Sequence, residues 1–162
     1  MKSVITSRMK TAALAGLTAA LLIAGAANVS SSGDAGHASN GEEYELSLAN
    51  KAAQRLPAPQ AGEVRVLDGS GRASERTGAS VSHAITPGQR LIVDTVCLGA
   101  GTVNVTATAG GSQESRRVRC TESEGGASRL TLTAHGAGDV RVAIEPDDDA
   151  AGGMAFCARK PA

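Results

Sequence analysis

The sequence predicts an all-β fold, an antiparallel sandwich of about eight short strands in jelly-roll or immunoglobulin-like order. Three observations carry that expectation. After Gly62 the apolar residues recur with a period of two, the spacing of half-buried strands. Turn signals rich in Gly, Ser and Asp recur roughly every 8 to 12 residues, the rhythm of a sandwich or barrel. All three cysteines, Cys97, Cys120 and Cys157, fall in this same region, whose aromatic content is a single Phe156. A small core of Val, Leu, Ile and Ala buries little area per residue, so a covalent staple is valuable there.

Ahead of the sandwich, residues 1–27 read as a secretory leader. Lys2, Arg8 and Lys10 form a basic start, TAALAGLTAALLIAGAA is uncharged and apolar, and small residues follow at Ala24, Ala26 and Ala27. The apolar run is shorter than the roughly 20 residues of a spanning helix, so membrane attachment is expected only if the leader stays uncleaved. Removing it leaves 13 basic against 16 acidic residues, about −3, with no basic block. Nucleic-acid binding is therefore not expected. Residues 28–62 read as a flexible tether, because NVSSSGDAGHASNG lacks apolar periodicity. Within it Leu48, Ala52 and Leu56 stand four apart, which allows a short helix over 44–56 that Pro57 and Pro59 stop.

The sandwich domain is expected over 63–160, with strands near 63–68, 79–85, 90–98, 102–109, 116–120, 129–134, 139–145 and 154–159. The fourth is the clearest. Val103, Val105, Ala107 and Ala109 share one face, and Thr102, Asn104, Thr106 and Thr108 share the other. In the third, LIVDTVCL is apolar on both faces apart from Asp94 and Thr95, as a central strand requires. Gly-rich links such as DGSGRASERTG, GAG, AGGSQ and SEGG read as turns.

Parity suggests a cysteine pair. Cys97 is in phase with Leu91 and Val93, and Cys120 with Val118, so both thiols can enter one core; a Cys97 to Cys157 bridge is the rival. In the favoured case Cys157, out of phase with Met154 and Phe156, remains as a free thiol or a partner in an intermolecular bond.

Few residues could carry chemistry. His37, His83 and His135 are scattered, no nucleophile elbow occurs, and no Cys-x-x-Cys or His-x-x-His pair offers zinc ligands. No enzymatic activity and no cofactor are expected. The acidic loop 145–153 holds Asp147, Asp148 and Asp149 as calcium candidates, but it lacks the alternating ligands and distal Glu of a dedicated calcium loop. It reads as a solvated turn, and the expected metal is none. Arg72 and Arg76 in DGSGRASERTG are the residues a protease-inhibitor loop would present. With no Trp and one Tyr outside the sandwich, no ring platform is offered to a sugar, and polysaccharide binding is disfavoured.

The run Pro87-Gly88-Gln89-Arg90-Leu91 into Cys97-Leu98-Gly99-Ala100-Gly101-Thr102-Val103-Asn104-Val105, then Cys120 and Gly152-Gly153-Met154-Ala155-Phe156, resembles a group of small exported actinobacterial proteins, often lipoproteins. Their pattern is C-x-G-x-G-T-V-x-V with a second Cys about 20 to 25 residues on. The resemblance implies the sandwich and the Cys97 to Cys120 pair, and it carries no catalytic residue. Ala26 stands where a lipoprotein leader would carry its Cys. The expectation is an exported, non-enzymatic protein with a structural or protein-interaction role at the cell envelope or outside the cell. A calcium or small-ligand module and a secreted protease inhibitor are the alternatives.

Overall fold

In the computed structural model, residues 35–122 and 126–162 are described, with the backbone alone for 35–39. The expected leader and residues 28–34 lie outside them. One helix and eight strands follow in order: α1 (Ala35–Arg55), β1 (Glu63–Arg72), β2 (Thr77–Ile85), β3 (Arg90–Ala100), β4 (Thr102–Ala109), β5 (Ser112–Arg119), β6 (Ala127–Thr133), β7 (Gly138–Pro146) and β8 (Ala151–Pro161). They form two four-stranded antiparallel sheets. Sheet A has the order β1-β8-β3-β6, and sheet B has β2-β7-β4-β5. This interleaving of two Greek keys is the jelly roll, and it decides between the two expected sandwich topologies.

The core between the sheets is built from the in-facing residues of every strand. Leu91, Val93 and Cys97 of β3 and Met154, Phe156 and Ala158 of β8 meet Val103, Val105 and Ala107 of β4 and Val140, Val142 and Ile144 of β7. On the far side of sheet B the register sets Gly78, Ala143, Thr106 and Ser115 side by side. That face carries small and polar residues, as a solvated sheet face should.

Sheet A differs because its outer face is also covered. β3 and β8 are each buried over eight consecutive residues. Ala52 of α1 packs with Val96, Leu98 and Ala155, and Leu48 and Leu56 flank this second, smaller core. The helix is thus a third layer. It begins at Ala35, well before the expected 44–56 segment, and it belongs to the same compact unit as the sandwich. The flexible-tether reading fails for this stretch for a tertiary reason. Helix propensity is weak here, but Glu42 pairs with Arg72 and Glu45 accepts from Ser74 Oγ and from the Gly152 amide, so packing holds what local sequence would not.

All eight strands fall where the periodicity places them; β4 keeps its expected bounds, and the others extend beyond theirs at one end or both, β1, β5 and β8 by the most. β1 continues through Asp68-Gly69-Ser70-Gly71, read as turn material. Gly69 sits opposite Phe156, and a Cβ on it would lie 2.8 Å from the phenyl ring. The glycine makes room for the only aromatic ring of the core, and the ring in turn covers the bare backbone. β5 starts at Ser112 because Gly110 and Gly111, both at positive φ, close a two-residue hairpin between Ala109 and Ser112.

Candidate functional site

The expected disulfide is present. Cys97, near the end of β3, bonds Cys120, just after β5, across a sequence separation of 23. It joins sheet A to the strand end of sheet B. The Thr121 amide donates to the Cys97 carbonyl (3.2 Å) and the Cys120 amide to Gly101 (3.0 Å), so backbone bonds hold both ends of the bridge. Cys157 is a free thiol, 1% exposed, on the outer face of β8. A cavity of about 310 Å³ between Leu56, Pro57, Pro59 and Phe156 adjoins it. Burial raises its pKa, against the smaller lowering effects of Arg65 and Arg159. A covered, neutral thiol is poorly placed for an intermolecular bond.

Beside it lies a buried ionic cluster that sequence reading did not find. Arg159 is 1% exposed and Asp94 is 4%. Arg159 Nη1 donates to Glu63 Oε2 (2.7 Å) and to the Ala58 carbonyl (3.3 Å), and Nη2 pairs with Asp94 Oδ2. Arg129 Nε donates to Asp94 Oδ1 (2.7 Å), which raises the Arg129 pKa above its ordinary value. The cluster stitches β8, β3, β6 and the start of β1 together beneath the Pro57–Pro59 loop. Its signal in sequence was faint: Asp94 and Arg159 each interrupt an apolar run.

The other candidate residues are dispersed. Asp147 pairs with Arg117, and Asp148 and Asp149 are exposed. No group of three His, Cys, Asp or Glu able to hold a metal occurs among the described residues. Arg72 is tied to Glu42 (2.9 Å) and Glu75, which together raise its pKa. The inhibitor-loop reading is thereby left with Arg76 alone. His83 sits at φ 53° in a bulge of β2, its amide bonded to Asp139 Oδ1 (3.0 Å), and His135 lies in an exposed turn.

The described residues do bring one apolar cleft together, and it lies at the Gly-Ala-Gly corner. An opening of about 540 Å³ separates the first half of α1 from the β3–β4 and β7–β8 corners. Tyr44, Leu48, Ala100 and Ala151 supply its apolar lining, and Glu42, Glu45 and Glu122 its acidic rim. Gly99 and Gly152 adopt positive φ there, and a Cβ on either would collide with the opposite strand at 2.2 and 2.1 Å. The corner is thus closed tightly under the cleft. Tyr44 is 60% exposed and Leu46 is 53%. Set beside known protein families, curated proteins and solved structures, the chain matches none. The cleft stands on its geometry alone. Its Tyr is the only one in the chain, which could have flagged it, but with 28–62 read as tether there was no surface for it to belong to.

Proposed function

We propose that the chain is an exported, non-enzymatic jelly-roll module that makes a protein contact, at the cell envelope or outside the cell, through the cleft beside Tyr44. The observation that carries this reading is the exposure of Tyr44 at the edge of an open, partly apolar cleft on an otherwise well-covered fold. Exposed aromatics beside a pocket are the anchors that protein interfaces use. The charged groups with defined geometry are engaged in structural pairs: Asp94 and Glu63 with Arg159, Asp147 with Arg117, Glu45 with the Gly152 amide. Export is supported by the leader pattern of 1–27 and agrees with a disulfide inside the core.

A photo-reactive phenylalanine analogue at position 44 tests the contact. In a native envelope fraction it should give one dominant adduct, absent when the same analogue replaces Thr108 on the opposite sheet. Equal adduct patterns at the two positions would refute the cleft as a contact.

A further inference from the structure

We propose that the outer face of sheet B binds a short, carboxylate-bearing sugar chain. This site is independent of the Tyr44 cleft and lies on the opposite side of the sandwich. Its centre is a shallow basin of about 560 Å³ over β2 and β7. Gly78 and Ala143, paired in register, form the floor. Gly78 cannot be filled, because a Cβ there would lie 2.6 Å from the Val142 carbonyl.

Charge marks the two ends of the basin. The pairing of Thr77 with Ile144 sets Arg76 beside Glu145, and Arg141 lies opposite Ser80. Arg141 and Glu145 are four residues apart on β7, about 13 Å along the strand. Neither Arg76 nor Arg141 takes part in an ion pair among the described residues, whereas Arg65, Arg72, Arg117, Arg129 and Arg159 all do. Two uncommitted guanidinium groups at opposite ends of a basin suit a ligand with separated anionic groups, since each fork can grip a carboxylate through two hydrogen bonds. The whole chain carries 16 basic and 16 acidic residues. On this face Arg76, Arg117, Arg119 and Arg141 stand with Asp139, Glu145 and Asp147, and Arg117 is held by Asp147, which leaves Arg76 and Arg141 as the basic groups that flank the basin.

Beside the basin, on β4 and β5, the surface offers hydroxyls. Beyond Ala143 the register brings Thr106 and Ser115 together, their hydroxyls 2.9 Å apart and exposed. No Trp, Tyr, Phe or large aliphatic residue occupies the outward positions of these strands, so a protein partner would find no apolar anchor. A neutral sugar would find no ring to stack on. A chain that is both hydroxyl-rich and acidic satisfies the arginines and the hydroxyls together.

Titration of the purified protein with trigalacturonate tests this. Saturable binding is expected, weakening as salt rises. Arg76→Ala/Arg141→Ala should lower affinity at least tenfold with an unchanged melting temperature. Arg55→Ala/Arg90→Ala, which removes the same charge away from the face, should keep it. Ala143→Gln, which fills the basin without altering charge, should give the loss independently. The proposal is overturned if no saturable binding occurs, if both double-arginine variants lose affinity equally, or if neutral cellohexaose binds as well. Equal affinity for polyphosphate would reduce the face to an unselective cationic patch and likewise overturn it.

Discussion

Asp94 and Arg159 are the residues on which burial and charge conflict most sharply. Removing a cation and a carboxylate from water is costly, and only the surrounding bonds offset that cost. Arg159 keeps its Nε without a hydrogen-bond partner, so it depends on Asp94, Glu63 and the Ala58 carbonyl. Asp94→Ala should therefore cost about 3 to 5 kcal/mol, as breaking one side of a buried pair does. Arg129→Ala removes a half-exposed partner of the same carboxylate and should cost less than about 1 kcal/mol. Urea unfolding of both variants checks the order, and similar losses would refute the cluster as a buried unit. The neighbouring Cys157 predicts a pH effect of definite sign. Its ordinary pKa is 9.0, and burial raises it in the folded state. The thiol thus favours folding fully below pH 9.0, and that contribution disappears as pH climbs through the raised value. Cys157→Ala should lose less stability than the parent protein as pH rises above 9.0. Parallel alkaline curves for the two proteins would count against it.

Among the elements, α1 depends on one glycine more than on its own sequence. A Cβ on Gly153 of β8 would lie 1.9 Å from the Ala49 amide nitrogen and 2.3 Å from the Leu48 carbonyl carbon. The helix backbone rests directly on the sheet at this point. Gly153→Ala should push α1 away and destabilise the protein by about 1 to 3 kcal/mol, the usual range for overpacking. The displaced helix would uncover Val96 and Leu98, so binding of a hydrophobic dye should rise with it. Gly41→Ala is the matched control, since a Cβ there meets nothing within 4 Å. It should stabilise the helix by about 0.5 to 1 kcal/mol. Thermal melts of the pair decide, and destabilisation by Gly41→Ala alone would invert the account. The elements differ in how openly the sequence displays them. β4 alternates cleanly because one face meets the core and the other meets water. β8 hides its central place behind Cys157 and Arg159, and the partners that bury Arg159 come from distant parts of the chain. α1 is readable only over its second half, because its first half is held by Arg72, Ser74 and Gly152 from distant parts of the chain.

At the scale of the whole molecule, eight strands and their faces follow from a period of two, but their order does not. Alternation states which residues face the core and is silent on which strand lies beside which. Jelly-roll order arises because successive strands cross between sheets at tight corners such as Gly99-Ala100-Gly101, where side chains would strike Ala151 and Asp149. The site was harder still to read, since the cleft needs α1 and the corner to meet, and the sheet B basin needs the β2–β7 register. The disulfide is the one long-range contact that parity suggested in advance, and its place in the topology sets its worth. It crosses from β3 in one sheet to the end of β5 in the other. Reduction therefore releases one sheet from the other, beyond shortening a loop. Closing a loop of 23 residues' separation constrains the unfolded chain by about 3 kcal/mol. For a domain of this size that corresponds to a fall of about 10 °C in melting temperature. Cys120→Ser should show that fall under oxidising conditions, and the parent protein should match the variant once reductant is added. Cys157→Ser, which removes the thiol outside the bridge, should leave the difference between oxidised and reduced melts intact. An oxidised Cys120→Ser protein that melts with its parent would mean that the two sheets are held together by core packing alone.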